Sequence, residues 1–283
     1  MIVFLNGQFI PEEQAVVSVF DRSFLYGDGL FETVRVSHGR PFRWAEHLRR
    51  LERGAEFLRL RVPFDATTLT RFAGELSQRN QMPDAVLRVT LSRGVGPRGY
   101  SPNGADQPTL VMTLHPPPQL GAEQPPRWRL ITSSFRVPTH DRLALYKTAN
   151  KLPHILARAE AEDRGADDAL LLNTDGEVAE TTSANLFWIR GQTVFTPPLC
   201  TGILAGVTRA GLLTLCQSLG IACEEKSLRL DGLKKADAVF LTLSSLGIVE
   251  VSGLDEVSFK PSAMIELLRD AHLQAVEKET RGV

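Results

Sequence analysis

Four side chains in this sequence sit where they could do chemistry together: Lys147, Glu180, Thr208 and Arg50. Lys147 closes the apolar run Leu143 to Tyr146 and is followed by Ala149. An amine at an apolar junction has its charged form disfavoured and becomes nucleophilic, the property Schiff-base chemistry needs. The competing reading is one solvated lysine among many. Glu180 interrupts a core-like apolar region, where a carboxylate needs a partner; otherwise it is an exposed hairpin residue. Gly202 and Gly206 precede Val207 and Thr208 at a helix start, where free N–H groups, the helix dipole and a hydroxyl favour an anion. A simple capped helix is the alternative, and the GK[ST] ending of a Walker loop is missing. Arg50 lies in His47-Leu-Arg-Arg-Leu51, on a helix predicted by period over Trp44 to Leu60.

The elements that must position these groups follow from periodicity. From Asn150 the spacing of Leu152, Ile155, Leu156 and Ala159 predicts a helix, capped by Asn150 and ended by Gly165, so that Lys147 sits where an extended segment gives way to it. Asn6-Gly7 between Ile2 to Leu5 and Gln8 to Ile10 predicts a hairpin, and His38-Gly39 another turn. Asp65 to Arg79 and Pro261 to about Glu277 read as helices. Ala85 to Ser92, Thr109 to Leu114, Arg129 to Phe135, Asn185 to Ile189 and Ala238 to Leu243 read as strands. Ala169 to Leu172, the turn Asn173-Thr-Asp-Gly176 and a short strand through Glu180 predict a hairpin.

Gly94, Gly96 and Gly99 spell a formal GxGxxG, but Tyr100-Ser-Pro-Asn-Gly104 follows in place of a helix, so the dinucleotide reading fails. What remains is a glycine-rich loop offering Arg98 and Tyr100 as a carboxylate clamp, against a mobile solvent loop. His115 to Pro126 is proline-rich and stiff, and we expect the domain boundary there: 1–114 an N-terminal α/β domain, 115–126 a linker, 127–283 a C-terminal domain.

Composition bounds the function. The chain has 283 residues, 43% hydrophobic and 23% charged, with a formal net charge of -1. That suits a globular α/β protein of two modest domains and gives no reason to expect nucleic acid or a membrane surface as partner. Three cysteines without CxxC suggest a reducing, cytoplasmic setting, and the N-terminus lacks the basic start of a signal peptide. The 6 histidines show no ligand spacing, so no metal site is expected.

Imine-forming lysine, carboxylate, phosphate-binding helix start and arginine together suit pyridoxal phosphate. The spelling goes further. YGDGLFETVRV, HLRRL, RGVGPRGY, Lys147 with Asn150, DGEVAETTSANLFW, GILAGVTR and LTLSSLGIVEV resemble, in that order, the class IV (fold type IV) pyridoxal-phosphate enzymes, over nearly the whole chain. These include branched-chain and D-amino acid aminotransferases and 4-amino-4-deoxychorismate lyase. The resemblance implies two α/β domains, a small N-terminal and a larger C-terminal one, with the cofactor between them. It also implies a homodimer whose active site borrows loops from the partner. It makes Lys147 the Schiff-base lysine, Glu180 the partner of the pyridine nitrogen, and Arg50, Val207 and Thr208 the phosphate ligands. Arg98, Tyr100, Phe31 and Ser244 fall on the substrate side.

RGVGPRGY, ETTSANLFW and the turn Ser244 to Gly247 are most similar to the lyases, which form 4-aminobenzoate and pyruvate for folate biosynthesis. Leu243 stands where several lyases carry asparagine, and Glu32 occurs in the aminotransferases too. An aminotransferase acting on D-amino or branched-chain amino acids with 2-oxoglutarate is therefore the alternative. A third reading, a cofactor-binding protein without turnover, is opposed by the intact Lys147, Glu180, Arg50 and Thr208 set.

Overall fold

A computed structural model describes residues 1–118 and 126–281. The chain divides into two compact units, Met1–Pro117 with Tyr146–Asn150 and Val276–Val283, and Pro118–Leu145 with Lys151–Ala275. Most of the linker expected over 115–126 lies outside the described residues.

The first unit is one antiparallel sheet under two helices. Its strands are β1 (Ile2–Leu5), β2 (Gln8–Pro11), β3 (Gly29–Ser37), β4 (Arg40–Pro41), β5 (Ala85–Ser92) and β6 (Thr109–His115), in the order β2-β1-β6-β5-β3-β4. Asn6 and Gly7 both take positive φ, the two-residue hairpin geometry that their types favour, and His38 with Gly39 repeats it. Helix α1 (Arg22–Tyr26) is capped by the Asp21 carboxylate, which accepts from the Ser23 N–H, and ends at Gly27 in the left-handed region. Helix α2 (Trp44–Leu58) buries Trp44, Leu48, Leu51 and Ala55. Helix α3 (Ala66–Asn80) is capped by Asp65 and buries Leu69, Phe72, Ala73 and Leu76. These faces meet Val34, Leu87, Val89, Leu110 and Met112 in one apolar core.

The second unit contains β7 (Arg127–Val137), α4 (Leu152–Asp163), β8 (Asp168–Asn173), β9 (Val178–Thr181), β10 (Asn185–Arg190), β11 (Thr193–Thr196), α5 (Val207–Ser218) and β12 (Cys223–Glu225). The short α6 (Leu230–Leu233), β13 (Ala238–Leu243), β14 (Gly247–Leu254) and β15 (Val257–Ser258) follow, then α7 (Ala263–Arg281). The sheet runs β12-β11-β10-β13-β14-β7-β8-β9, with β15 on β14, and β9 pairs back onto β10 through Glu180 and Asn185. The strands therefore close on themselves at Glu180. Alternation along β10 explains the two layers: Leu186 and Trp188 point into the enclosed core with Leu170, Val239 and Val249, while Phe187 and Ile189 face α5 and α7 with Leu212, Ile265 and Leu268.

Two expectations around Lys147 need correction. Residues Leu143 to Tyr146 are not extended: the Asp141 carboxylate accepts from the Leu143 N–H and the Asp141 carbonyl from the Ala144 N–H, which turns the chain. Asn150 does not cap α4, whose N-cap position is Lys151, and no side chain closes that end by a capping hydrogen bond. The Asn150 amide instead donates to the Gly27 carbonyl at 3.3 Å. The helix predicted from Leu152, Ile155 and Leu156 is present, with that stripe exposed and Ala157 and Ala161 buried against Ile131, Ala169 and Leu171. Small side chains let α4 approach the sheet closely and leave the larger ones outward. The GxGxxG loop opens no helix, as its sequence predicts.

Candidate functional site

In the first unit, Lys147 lies along the start of β3. The Phe31 N–H donates to the Lys147 carbonyl and the Ala149 N–H to the Gly29 carbonyl, both at 2.9 Å, around a bridge between Leu30 and Thr148. Backbone bonds on both sides thus hold the half-buried lysine. Its Nζ stands 4.5 Å from the centre of the Phe31 ring, and the Arg88 guanidinium stands 4.2 Å from the same ring. Contact of the ring with each cation is electrostatically favourable and holds a planar apolar surface beside the amine. Arg88 carries no motif, and only the cross-strand neighbourhood of β3 and β5 reveals it.

Arg50 and His47, three apart on α2, both turn toward Glu32 on β3. Glu32 is 1 % exposed and accepts from Arg50 Nε at 2.8 Å, Arg50 Nη2 at 2.6 Å and His47 Nδ1 at 2.7 Å. Burial would raise the Glu32 pKa, but the Arg50 charge and the hydrogen bonds from Arg50 and His47 outweigh it and bring it to about 2. Burial pushes His47 below its usual value against the pull of Glu32, with the Arg50 and Lys147 cations adding to the push. His47 is therefore neutral near pH 7 and donates its Nδ1 proton, since a carboxylate only accepts. The pair was legible in HLRRL only as helix spacing; its anchor, Glu32, was not.

This network predicts an acid-sensitive fold. A carboxyl held at about 2 rather than 4.5 contributes on the order of 3 kcal/mol. That contribution is complete above pH 4.5 and is lost as the pH falls through 4.5 toward 2. Glu32→Gln is expected to be less stable than the parent at pH 7, by roughly 3–5 kcal/mol for a broken buried pair, with the difference shrinking toward pH 2. Denaturant unfolding followed by tryptophan fluorescence reads this. A difference that stays constant down to pH 2.5 would contradict it.

In the second unit, Glu180 is buried where the sheet closes. Its Oε2 accepts from Asn185 Nδ2 at 3.2 Å and from the Leu204 N–H at 3.0 Å, and His154 Nε2 lies 3.6 Å from Oε1. The exposed-hairpin alternative is thereby excluded. Asn185 also donates to the Leu204 carbonyl at 2.9 Å. A Cβ on Gly206 would fall 1.9 Å from Asn185 Oδ1, so this position needs glycine for space. Gly206 is the N-cap of α5 and no side chain caps that helix, which leaves the first-turn N–H groups of Val207 and Thr208 without intrahelical acceptors. Thr242, register partner of Asn185 on β13, is buried and its hydroxyl has no hydrogen-bond partner among the described residues. Ser244 follows in the β13–β14 turn, half-buried. Thr242, Asn185 and His154 join the candidate set; in the sequence Thr242 and Asn185 stood only as letters of the motifs LTLSSLGIVEV and ETTSANLFW, and His154 did not stand out.

Arg98 and Tyr100 are exposed, Tyr100 to 88 %. The start of their loop is anchored at Asp28, which takes Arg93 Nε at 2.7 Å and Nη2 at 3.0 Å. Burial would raise the Asp28 pKa, but hydrogen bonds and charges of Arg93 and Arg22 hold it below the usual carboxylate value. Among the described residues, no group of three or more His, Cys, Asp or Glu could hold a metal ion, and no helix is long and apolar enough to cross a membrane.

A sequence model of the family described as "Amino-transferase class IV" matches residues 29–254. A putative branched-chain-amino-acid aminotransferase of Methanocaldococcus jannaschii is 36% identical over 257 residues, covering 90% of this chain and 88% of that protein. The aminodeoxychorismate lyase of Vibrio harveyi is 36% identical over 243 residues, covering 85% and 88%. The crystal structure of a putative 4-amino-4-deoxychorismate lyase from Legionella pneumophila superposes with a TM-score of 0.87 at 32% identity, covering 93% of this chain and 97% of that one.

Proposed function

We propose, starting from the premise that this chain belongs to the class IV aminotransferase family and works with pyridoxal 5′-phosphate, that it is a lyase converting 4-amino-4-deoxychorismate to 4-aminobenzoate and pyruvate. The residues present fit that cofactor. In the second unit the uncapped start of α5 and the buried Thr242 hydroxyl, and in the first unit Arg50, oriented by Glu32, are each groups of the kind that bind a phosphate. We assign the phosphate to Arg50, Val207, Thr208 and Thr242, the ring nitrogen to Glu180 and the covalent link to Lys147.

When bound, the cofactor supplies an electron sink for the carbon that bears the substrate's amine. Glu180, fixed through Oε2, keeps Oε1 as the acceptor that holds a proton on the ring nitrogen. Lys147 Nζ would remove the proton from the amine-bearing carbon of the substrate ring; the bond between the neighbouring ring carbon and the enolpyruvyl oxygen breaks, the ring becomes aromatic, and the departing enolpyruvate takes a proton back on its methylene carbon to become pyruvate. Phe31 gives that ring a flat apolar neighbour beside Lys147. Ser244 lies on the substrate side.

The observation that carries the lyase reading is the pair of arginines, Arg88 at Phe31 and Arg98 on the glycine-rich loop, offered to a substrate with two carboxylates. The aminotransferase reading keeps its own support, the relative of that name at the same 36% identity. There Lys147 would return the proton to a different carbon and a keto acid would leave.

Two apolar surfaces support a homodimer: Val16, Val17, Val19, Phe20, Phe24 and Leu25 in the first unit, and Leu152, Ile155 and Leu156 in the second. The unpaired Cys200, Cys216 and Cys223 agree with a cytoplasmic setting.

The test is turnover of 4-amino-4-deoxychorismate by the wild type and Arg98→Ala. The wild type should release 4-aminobenzoate. Arg98→Ala should lose about ten- to a hundredfold in kcat/KM, the worth of one charge-assisted contact, with unchanged cofactor content. A wild type that leaves this substrate intact would sink the proposal.

A further inference from the structure

We propose that Arg22 and Tyr26 of α1 are positioning residues that hold the end of the 93–100 loop and so fix where Arg98 and Tyr100 are presented. This inference rests on the reading of Arg98 and Tyr100 as the carboxylate clamp.

Arg22 is 3 % exposed, and its guanidinium is spent entirely on the chain itself. Nε donates to Asp28 Oδ2 at 2.9 Å, Nη1 to the Gly99 carbonyl at 2.8 Å and Nη2 to the Tyr100 carbonyl at 3.3 Å. One rigid planar group thereby holds two consecutive carbonyls and fixes the peptide unit between them. The direction in which the Tyr100 side chain leaves the backbone follows from that peptide. Arg98, one residue before Gly99, is positioned from the same anchor.

Tyr26 adds the second hold. Its hydroxyl accepts from the Gly99 N–H at 3.2 Å, its ring meets the Tyr100 ring edge-on at 5.7 Å, and the Arg22 guanidinium lies 5.0 Å from its centre. Gly99 is thus bonded at both its N–H and its carbonyl, at φ +109, a conformation that favours glycine. At the other end, the Arg22 N–H donates to the Gly94 carbonyl at 2.9 Å, and Arg93 joins Arg22 on the single carboxylate of Asp28. Gly96 lets the loop pass this close: a Cβ there would come within 3.2 Å of Arg22 Cδ and 2.6 Å of the Ala105 Cβ. Arg22 and Arg93 are consumed as internal ties, while Arg98 is left facing outward.

The experiment compares Tyr26→Phe and Arg22→Lys with the wild-type holoenzyme. Tyr26→Phe removes only the acceptor of the Gly99 N–H. Arg22→Lys keeps the charge beside Asp28 but cannot hold both carbonyls in one plane. Amide hydrogen exchange over residues 94–100 should accelerate at least about tenfold in both variants. KM for the carboxylate-bearing substrate should rise about tenfold with kcat changed less than about twofold, and cofactor affinity should not move. Adding Arg98→Ala to Tyr26→Phe should cost less than it costs in the wild type, because both act on one contact.

Unchanged exchange in both variants overturns the proposal, as does a fall in kcat at constant KM. Should Arg22→Lys fail to fold, Tyr26→Phe decides alone. If Arg98→Ala leaves KM unchanged in the wild type, the clamp reading fails, and the exchange rates still decide whether Arg22 and Tyr26 hold the loop.

Discussion

Lys147→Ala is expected to lose at least about a thousandfold in kcat, within the range that a positioned acid–base group contributes, and to keep its fold. The folding half of this expectation rests on the backbone. The Lys147 carbonyl accepts from Phe31 and the Ala149 N–H donates to Gly29, so the segment stays along β3 whatever side chain it carries. The catalytic half rests on the amine, which alanine lacks and which the proposed reaction needs as its acid–base group. Borohydride reduction of the wild-type holoenzyme followed by peptide mapping should attach the cofactor to Lys147. A label on Lys151, or a Lys147→Ala variant that turns over normally, would remove the assignment.

Glu180→Gln is expected to retain the cofactor and to turn over roughly a hundred- to a thousandfold more slowly, the loss that follows removal of one aimed electrostatic partner. The geometry says why so small a change matters. Oε2 already serves two donors, Asn185 Nδ2 and the Leu204 N–H. A glutamine at 180 keeps those bonds only with its own oxygen on that side, which turns its NH2 to the position of Oε1. In the proposed assignment of Glu180 to the ring nitrogen, a donor would then stand in place of the acceptor, and the proton there would no longer be held. Stopped-flow absorbance should show the same cofactor load and a slower chemical phase. Full activity in the variant would make Glu180 a structural residue of the sheet closure and nothing more.

The sequence carried the local features well, and the reason is that they are local. Asn6-Gly7 and His38-Gly39 are turn chemistry, Ala238–Leu243 is a clean buried strand, and the start of α5 is marked by Gly206. Lys147 and Glu180 stood out as candidates from their company in the chain. Their surroundings were not, because distant segments build them. Lys147 is held by β3, more than a hundred residues earlier in the chain, and Glu180 owes its burial to the closure of β9 onto β10 and to the main chain at Leu204.

The α4 stripe announced a helix and not which of its faces is buried. Periodicity finds the apolar face of a helix but not what that face meets, and here two alanines take the core while Leu152, Ile155 and Leu156 stay outward. Arg22, Asp28 and Arg93 look like ordinary surface charges until the strands bring residues 65 positions apart into contact.

The most direct measurement of the proposed reaction is the stoichiometry of products formed from 4-amino-4-deoxychorismate by the purified holoenzyme, with and without added 2-oxoglutarate. The lyase reading predicts pyruvate and 4-aminobenzoate in equal amounts, at a rate that 2-oxoglutarate does not change. Absence of 4-aminobenzoate, with ping-pong transfer of an amino group from an amino acid to 2-oxoglutarate, would contradict it and make the enzyme an aminotransferase.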